Sequence, residues 1–323
     1  MRASDTKMRF APMPDAPLVS VVTPSFNQGG FIAQTIASVL DQDYPHIEYL
    51  IVDGGSTDAT RDVLRRFGGR LRWISEPDRG QTDAINKGWR QVRGQIVAWL
   101  NADDLYLPHA VAQVVAFFQA HPEVDAVYGD CDYIDAHGQF IQRYSTRPYD
   151  YLELVRTAID FIPQPTTFLR RRVLEAVGPL DDTLHHVLDF EYWLRLGLRH
   201  TVAYLPVRLA AFRLHSTAKS VRSEAGFGPE LIQVYRRLFA RPDLPPAVRS
   251  IEAEAMASVH YMAAVRCFWG GSPREARQYA RVAWSAVSGR RRRKLALLIG
   301  LGTLGQVGVA AARAVERIFP RTL

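Results

Sequence analysis

After a proline-rich opening, the chain alternates short apolar runs with longer stretches whose apolar residues stand three or four apart. Leu18–Thr23 is a compact β-branched run, and Phe31–Leu40 follows with Ile32, Ile36, Val39 and Leu40 at helical spacing. The pattern repeats: Ile47–Val52 predicts a strand and Thr57–Phe67 a helix, then Leu71–Ser75 a strand and Gln81–Val92 a helix. Ile96–Leu100 predicts a fourth strand, Pro108–Ala120 its helix with proline in the first turn, and Val124–Tyr128 a fifth strand. Apolar strands alternating with helices of this length predict an α/β fold with a mostly parallel sheet flanked by helices. In such sheets ligands bind beyond the carboxyl ends of the strands.

After Asp132 the alternation loosens. Gln164–Leu169 and Thr201–Leu214 predict strands, with a helix over Val187–Leu196 between them. From Phe227 to Ser288 the pattern is helical: Ile251–Phe268, a Gly-Gly-Ser-Pro break, then Arg274–Val287, which predicts an αα-hairpin. The expected layout is a flexible arm over residues 1–17, an α/β domain over 18–226, a helical hairpin appendage over 227–289 and a basic, apolar tail over 290–323. No apolar core of a signal peptide stands in the first residues, which predicts a cytoplasmic location.

Composition narrows the function classes. A chain with 47% hydrophobic and 23% charged residues is neither disordered nor polytopic in a membrane. Two cysteines, Cys131 and Cys267, predict buried thiols in a reducing compartment. The net charge of +7 is local. Residues 290–323 hold eight of the 40 basic and one of the 33 acidic residues, leaving 32 of each in the remainder. A neutral body argues against a nucleic-acid groove. Within the tail, the cations Arg290–Lys294 precede an apolar run, Leu295–Ala312, and Arg313, Arg317 and Arg321 follow it. Cations on both flanks give no inside–outside asymmetry. Residues 290–312 therefore predict a helix lying on an anionic membrane surface, peripheral at its inner face, rather than a span. A Gly/Ala-rich helix packed on the body is the other reading. Gly300-Leu301-Gly302-Thr303-Leu304-Gly305 spells a dinucleotide fingerprint, but no strand precedes it, and it predicts no nucleotide site.

Chemistry concentrates at the strand ends. They carry Thr23-Pro24-Ser25-Phe26-Asn27, Asp53-Gly54-Gly55-Ser56-Thr57-Asp58, Glu76-Pro77-Asp78-Arg79-Gly80-Gln81 and Asn101-Ala102-Asp103-Asp104. One rim thus gathers Asp53, Asp78, Asp103 and Asp104. Adjacent carboxylates repel unless a cation is held nearby, and hard oxygen ligands suit Mg²⁺ or Mn²⁺ shared with a substrate phosphate. Asp53-Gly54-Gly55 with Asp58, and Asp103-Asp104, would also serve as plain turns and helix caps.

Taken in order, these stretches resemble glycosyltransferase family 2, over about Leu18 to His215. That resemblance implies the GT-A fold and sugar transfer from a nucleotide-activated donor. It implies that Asp53 contacts the nucleobase, with Thr23, Pro24 and Ser25 lining the same pocket, and that Asp78 and Gly80 belong to a loop over the base. It further implies that Asp103 touches the ribose or the metal and that Asp104 coordinates the metal bridging the diphosphate. Many relatives have two acids where this chain has Asp53-Gly54. Leu188-Asp189-Phe190-Glu191-Tyr192-Trp193-Leu194-Arg195 is similar to the family's acidic motif at a helix start. There Asp189 aligns with the base and Glu191 is the fallback. Glycosyl transfer needs a carboxylate to take the acceptor proton, and positive charge on the departing diphosphate. As plain structure, Asp189 would be a helix cap and Glu191 a first-turn acid. By resemblance His215 stands beside the diphosphate or the metal; otherwise it is a packed histidine. Gln164, Thr166 and Trp193 are expected at the acceptor.

The sequence thus predicts a glycosyltransferase moving sugar from a nucleotide-sugar, a UDP-sugar by resemblance, to a saccharide or polyprenyl-linked acceptor in surface-polysaccharide assembly. Inversion by single displacement is what the family implies. A nucleotidyltransferase is one rival, but Thr23–Gly30 lacks the cation a triphosphate loop wants. A non-catalytic glycan-binding protein on the same fold is the other.

Overall fold

The computed structural model describes residues 16–218 and 224–309. The elements run β1 (Val19–Ser25), α1 (Ile32–Leu40), β2 (Ile47–Asp53), α2 (Thr60–Arg66), β3 (Arg72–Ser75), α3 (Gln81–Gln91), β4 (Ile96–Trp99), β5 (Leu105–Tyr106), α4 (Ala110–Ala120), β6 (Ala126–Ile134) and β7 (Phe140–Arg143). They continue with α5 (Tyr151–Thr157), a 3₁₀ turn (Gln164–Thr166), β8 (Phe168–Arg170), α6 (Arg171–Val177), α7 (Leu188–Gly197) and β9 (Val202–Arg213). Helices follow: α8 (Glu224–Phe239), α9 (Pro246–Arg249), α10 (Glu252–Trp269), α11 (Pro273–Ala283) and α12 (Gly289–Thr303). The chain divides into two compact units. The first comprises the described residues up to Tyr149, Ile162–Pro179 and His200–Arg213; the second comprises Asp150–Phe161, Leu180–Arg199 and the described residues from Leu214.

Among the described residues the first unit holds one sheet of nine strands in the order β3-β2-β1-β4-β8-β6-β9-β5, with β7 beside β6. β3, β2, β1 and β4 are parallel, as expected from their apolar runs. Val19, Val21, Leu50, Ile51, Ile96 and Val97 are fully buried there, which requires cover on both faces. β8 is antiparallel to both β4 and β6, and β9 returns parallel to β6, so the second half of the sheet is mixed.

Two predicted elements change. The strand expected over Gln164–Leu169 shrinks to Phe168–Arg170, because Pro165 offers no N–H to a ladder and Thr166 N–H turns back to Pro163 O (3.0 Å). The fifth strand runs on to Ile134, through Gly129–Asp132. Its polar side chains are paired across the sheet: Tyr204 OH donates to Asp130 (2.6 Å) and Arg208 to Asp132 (3.1 Å).

In the second unit the expected helical hairpin is α10 and α11, extended by α12. Ala264, Cys267, Phe268, Ala276, Ala280 and Leu295 pack as its core. Both cysteines are buried and outside any disulfide, and burial pushes the Cys267 thiol up to about 12. The glycine-rich Gly300–Gly305 segment lies at the end of a helix, with no strand before it. Among the described residues no helix is long and apolar enough to cross a membrane. The expected arm over residues 1–17 and the tail from residue 310 fall largely outside the described residues.

Candidate functional site

The ends of β1, β2 and β4 are brought side by side by register. Ser25 pairs with Asp53, and Leu100 N–H donates to Val22 O (2.9 Å) just before the Asn101–Asp104 turn. Thr23 and Pro24 are buried in β1, and the Thr23 hydroxyl bonds Tyr49 OH (3.0 Å). Ser25 is only 4% exposed, and its hydroxyl has no hydrogen-bond partner among the described residues. Buried hydroxyls are usually hydrogen-bonded, and this one stands at the strand end that pairs with Asp53. The next residue, Phe26, turns an exposed ring outward from the same strand end.

The loops after β1 and β2 are laced together. Asn27, in the left-handed region (φ 54°), accepts from Thr57 N–H (2.9 Å), and its own N–H donates to Ser56 Oγ (2.7 Å). Asp58 accepts from Thr60 and from Gly29 N–H (2.9 Å each). Those bonds outweigh partial burial and hold its carboxyl below the usual range. Asp58 is thereby a loop-holding and helix-starting residue.

Asp53 is fully buried. Ser56 N–H and Ser75 Oγ donate to its Oδ2 (3.0 and 2.6 Å) and Ser56 Oγ to its Oδ1 (2.5 Å). Its carboxylate orders the β2 loop from within. The half-buried acid at this end is Asp78. Gly80 N–H donates to its Oδ1 (2.8 Å), and its Oδ2 would lie 2.5 Å from a Cβ at position 54. Gly54 is therefore required by the close approach of Asp78. Gly80, at φ 113°, is required by the backbone that starts α3. Burial, with the Asp83 and Asp53 charges, pushes the Asp78 carboxyl up against the opposing pull of the Gly80 N–H and Lys87.

The Asn101–Asp104 turn is held by a polar network. Asn101 Nδ2 donates to Asp104 Oδ2 (3.2 Å) and Gln164 Oε1 (3.0 Å), and Gln81 Nε2 donates to Asn101 Oδ1 (2.8 Å). Thr35 Oγ1 reaches the carbonyls of both Ala102 and Asp104 (2.9 Å each). Arg213 N–H donates to Asp104 Oδ1 (2.9 Å). The Arg213 guanidinium, fully buried, bonds Asp103 O (2.8 Å), Asp135 O (3.1 Å), Ala136 O (3.2 Å) and Gln34 Oε1 (2.8 Å), and lies 5.3 Å from the Phe31 ring centre. Asp104 is 1% exposed, and burial followed by the Asp103 charge raises its carboxyl well above the usual range. Asp103 is the partly exposed acid of the pair. Among the described residues no group of three or more His, Cys, Asp or Glu is arranged to hold a metal. Of the Asp103–Asp104 pair, only Asp103 offers an accessible hard carboxylate, a donor that would suit Mg²⁺ or Mn²⁺.

Two residues expected at the acceptor are structural in this unit. Thr166 is fully buried, donates to Pro163 O (2.7 Å) and is bonded to Gly129. Gln164, 6% exposed, bonds Trp99 O (2.8 Å) and buttresses Asn101.

Within the second unit, Asp189 sits in the first turn of α7, partly exposed, and accepts from Phe190 N–H (2.8 Å). Glu191 is engaged by a two-pronged bond from Arg195 (2.7 and 2.9 Å), which occupies the fallback carboxylate. Trp193 is 1% exposed and packs edge-on against Tyr192, so it belongs to the core and offers an acceptor no ring face. His215 is 9% exposed, with Nδ1 2.8 Å from Thr217 Oγ1. Glu230 accepts from the N–H groups of His185 (3.0 Å), His186 (2.7 Å) and Val187 (3.3 Å), anchoring the start of the helix that carries Asp189.

From the sequence, Asn101 and Gln81 have a place in the strand-end motifs but no role, and Arg213 and Glu230 have no role. Nothing in the neighbours of Arg213 signals its full burial.

The family model described as Glycosyl transferase family 2 matches residues 20–178. An uncharacterized glycosyltransferase of Nostoc sp. is 34% identical over 214 residues, covering 61% of this chain and 65% of that protein. A putative teichuronic acid biosynthesis glycosyltransferase, TuaG of Bacillus subtilis, is 45% identical over 92 residues, covering 27% of this chain and 36% of that protein. The crystal structure of residues 1–349 of S. aureus TarS in complex with UDP-GlcNAc superimposes with a TM-score of 0.64 at 18% identity, covering 93% of this chain and 90% of that one. The chain spans 31% to 65% of the length of the curated glycosyltransferases it matches.

Proposed function

The chain belongs to glycosyltransferase family 2 and has the GT-A fold, and from that premise we propose that it transfers a sugar from a UDP-sugar to a saccharide or polyprenyl-linked acceptor in surface-polysaccharide biosynthesis. The observation that carries the donor site is the orphaned, buried Ser25 hydroxyl at the strand end that pairs with Asp53. A nucleoside placed there would satisfy it, within reach of the Asp78 side of the rim. The relative in teichuronic acid biosynthesis and the UDP-GlcNAc complex of TarS support the substrate classes.

In this reading Asp53 orders the pocket from inside, while Asp78 and the Ser25 hydroxyl meet the nucleoside. Asp103 would hold the divalent cation, and Asp104 positions it by fixing the turn. When bound, that cation supplies positive charge to the diphosphate. The acceptor oxygen forms its bond to the anomeric carbon as the bond to the diphosphate breaks, so the configuration inverts. By its place in the acidic motif, Asp189 takes the acceptor proton; Glu191, held by Arg195, does not. His215 serves the diphosphate in the same reading.

Asp189→Asn tests the base. Donor binding should stay within about twofold of the parent, and transfer of the sugar to acceptor, read as UDP released, should fall on the order of 10²–10⁴-fold. A variant that keeps half its transfer rate removes Asp189 from the mechanism.

A further inference from the structure

One face of α12 is unlike the rest of its unit. Leu295, Leu298 and Gly302 face inward onto the core around Ala264, Cys267 and Phe268. Positions 290, 293, 297, 300 and 304 recur at steps of three and four, so they share the opposite stripe. They are Arg290, Arg293, Leu297, Gly300 and Leu304, and all are exposed. Leu297 is 60% and Leu304 59% exposed, and Val307, in the helical turn that follows, is 73% exposed. Large aliphatic side chains this open, close together on one segment, mark a contact surface.

The cations at the start of α12 point the same way. Arg290 and Arg293 are exposed and, among the described residues, no carboxylate pairs with them, whereas Arg292 lies over the Trp284 ring at 4.9 Å. Positive side chains in the first turn of a helix oppose its dipole, so they cost the isolated helix stability. An anionic partner recovers that cost. A second copy would bring the same cations against one another, and the body of the chain is charge-balanced.

We propose that this face of α12 lies on the surface of a bilayer containing anionic lipid. Leu297 and Leu304 enter the boundary between headgroups and acyl chains, and Arg290 and Arg293 contact lipid phosphates. The inference stands on the second unit alone and is independent of the transfer chemistry.

The test is sedimentation of the full chain with vesicles of phosphatidylcholine, with and without about a third phosphatidylglycerol. The chain should pellet with the anionic vesicles, release as salt rises, and remain in solution with the neutral ones. Neutralising each cation should weaken binding about fivefold, so R290E/R293E should weaken it more than about 25-fold. L297Q/L304Q should weaken it at unchanged charge. These positions are exposed, and an unchanged melting temperature excludes unfolding; if a variant melts lower, the salt titration of the parent chain carries the test of charge. No binding to anionic vesicles, equal binding to both kinds, or variants that bind like the parent would each overturn the proposal. So would self-association of the parent chain that L297Q/L304Q abolishes.

Discussion

The ends of β2 and β4 meet one demand with different chemistry. Each turns a carboxylate inward to hold its loop and keeps another acid partly exposed at the rim. At β2 the inward acid is Asp53, satisfied by the neutral donors of Ser56 and Ser75, and the outer one is Asp78, which comes from the loop after the neighbouring β3. At β4 it is Asp104, satisfied by Asn101 and the Arg213 N–H, and the outer one is Asp103. Behind the second turn stands a buried guanidinium tying Asp103 O to Asp135, Ala136 and Gln34. Neutral donors can be removed one at a time at modest cost, whereas a buried charge that bridges separate segments fails as a unit. The two ends should therefore differ sharply in their tolerance to substitution.

The largest expected effect is at Arg213. Arg213→Met should cost about 3–5 kcal/mol of unfolding free energy, because it leaves the carbonyls of Asp103, Asp135 and Ala136 and the Gln34 amide oxygen without the guanidinium that joins them. Urea titration measures this, and a loss under about 1 kcal/mol would erase the contrast between the two turns. Next comes a carboxylate away from the rim. Arg172 (2.7 Å) and His200 (3.2 Å) flank Asp125, and their bonds outweigh burial and hold its carboxyl down at about 2. A depressed folded-state value means stability present above the ordinary carboxylate range and lost as pH falls toward 2. Asp125→Asn should thus cost about 2 kcal/mol near neutral pH and flatten the acid limb of the stability curve. A limb of unchanged slope would show that ion pairing of Asp125 contributes nothing.

Smaller effects belong to the β2 end. Gly54→Ala places a methyl where Asp78 Oδ2 lies, so it should weaken nucleotide affinity about tenfold, with little change in melting temperature. Unchanged affinity would take Asp78 out of the donor site. Ser75→Ala removes one neutral donor from Asp53 and should cost about 1 kcal/mol, against the several expected at Arg213.

What the sequence made legible follows from the range of the forces involved. The parallel half of the sheet was readable because Val19–Val22, Leu50–Val52 and Ile96–Ala98 must be apolar on both faces, a local property. The polar strand ends were readable for the same reason, since each motif directly follows its strand. β6 was cut short because Gly129–Asp132 looks like a loop until Tyr204 and Arg208 supply partners from β9. The apolar run predicts strand over Gln164–Thr166, whereas Pro165, with no N–H for a ladder, sits in a 3₁₀ turn there. Which acid of Asp103-Asp104 faces inward depends on Arg213, 109 residues beyond Asp104 along the chain. No local pattern encodes such a contact. The burial of Trp193 is equally hidden from local pattern: a helical tryptophan beside an acidic motif is suited to a pocket and to a core alike, and here it is 1% exposed.

The proposed nucleotide site at this rim, with Asp103 and a divalent cation, is probed by calorimetric titration of UDP and GDP into the parent chain and Asp103→Asn, each with and without Mn²⁺. UDP should bind the parent more strongly with Mn²⁺, and a variant of unchanged melting temperature should lose the Mn²⁺ effect. Binding that ignores the metal and the substitution alike, or the absence of binding by either nucleotide, would contradict it.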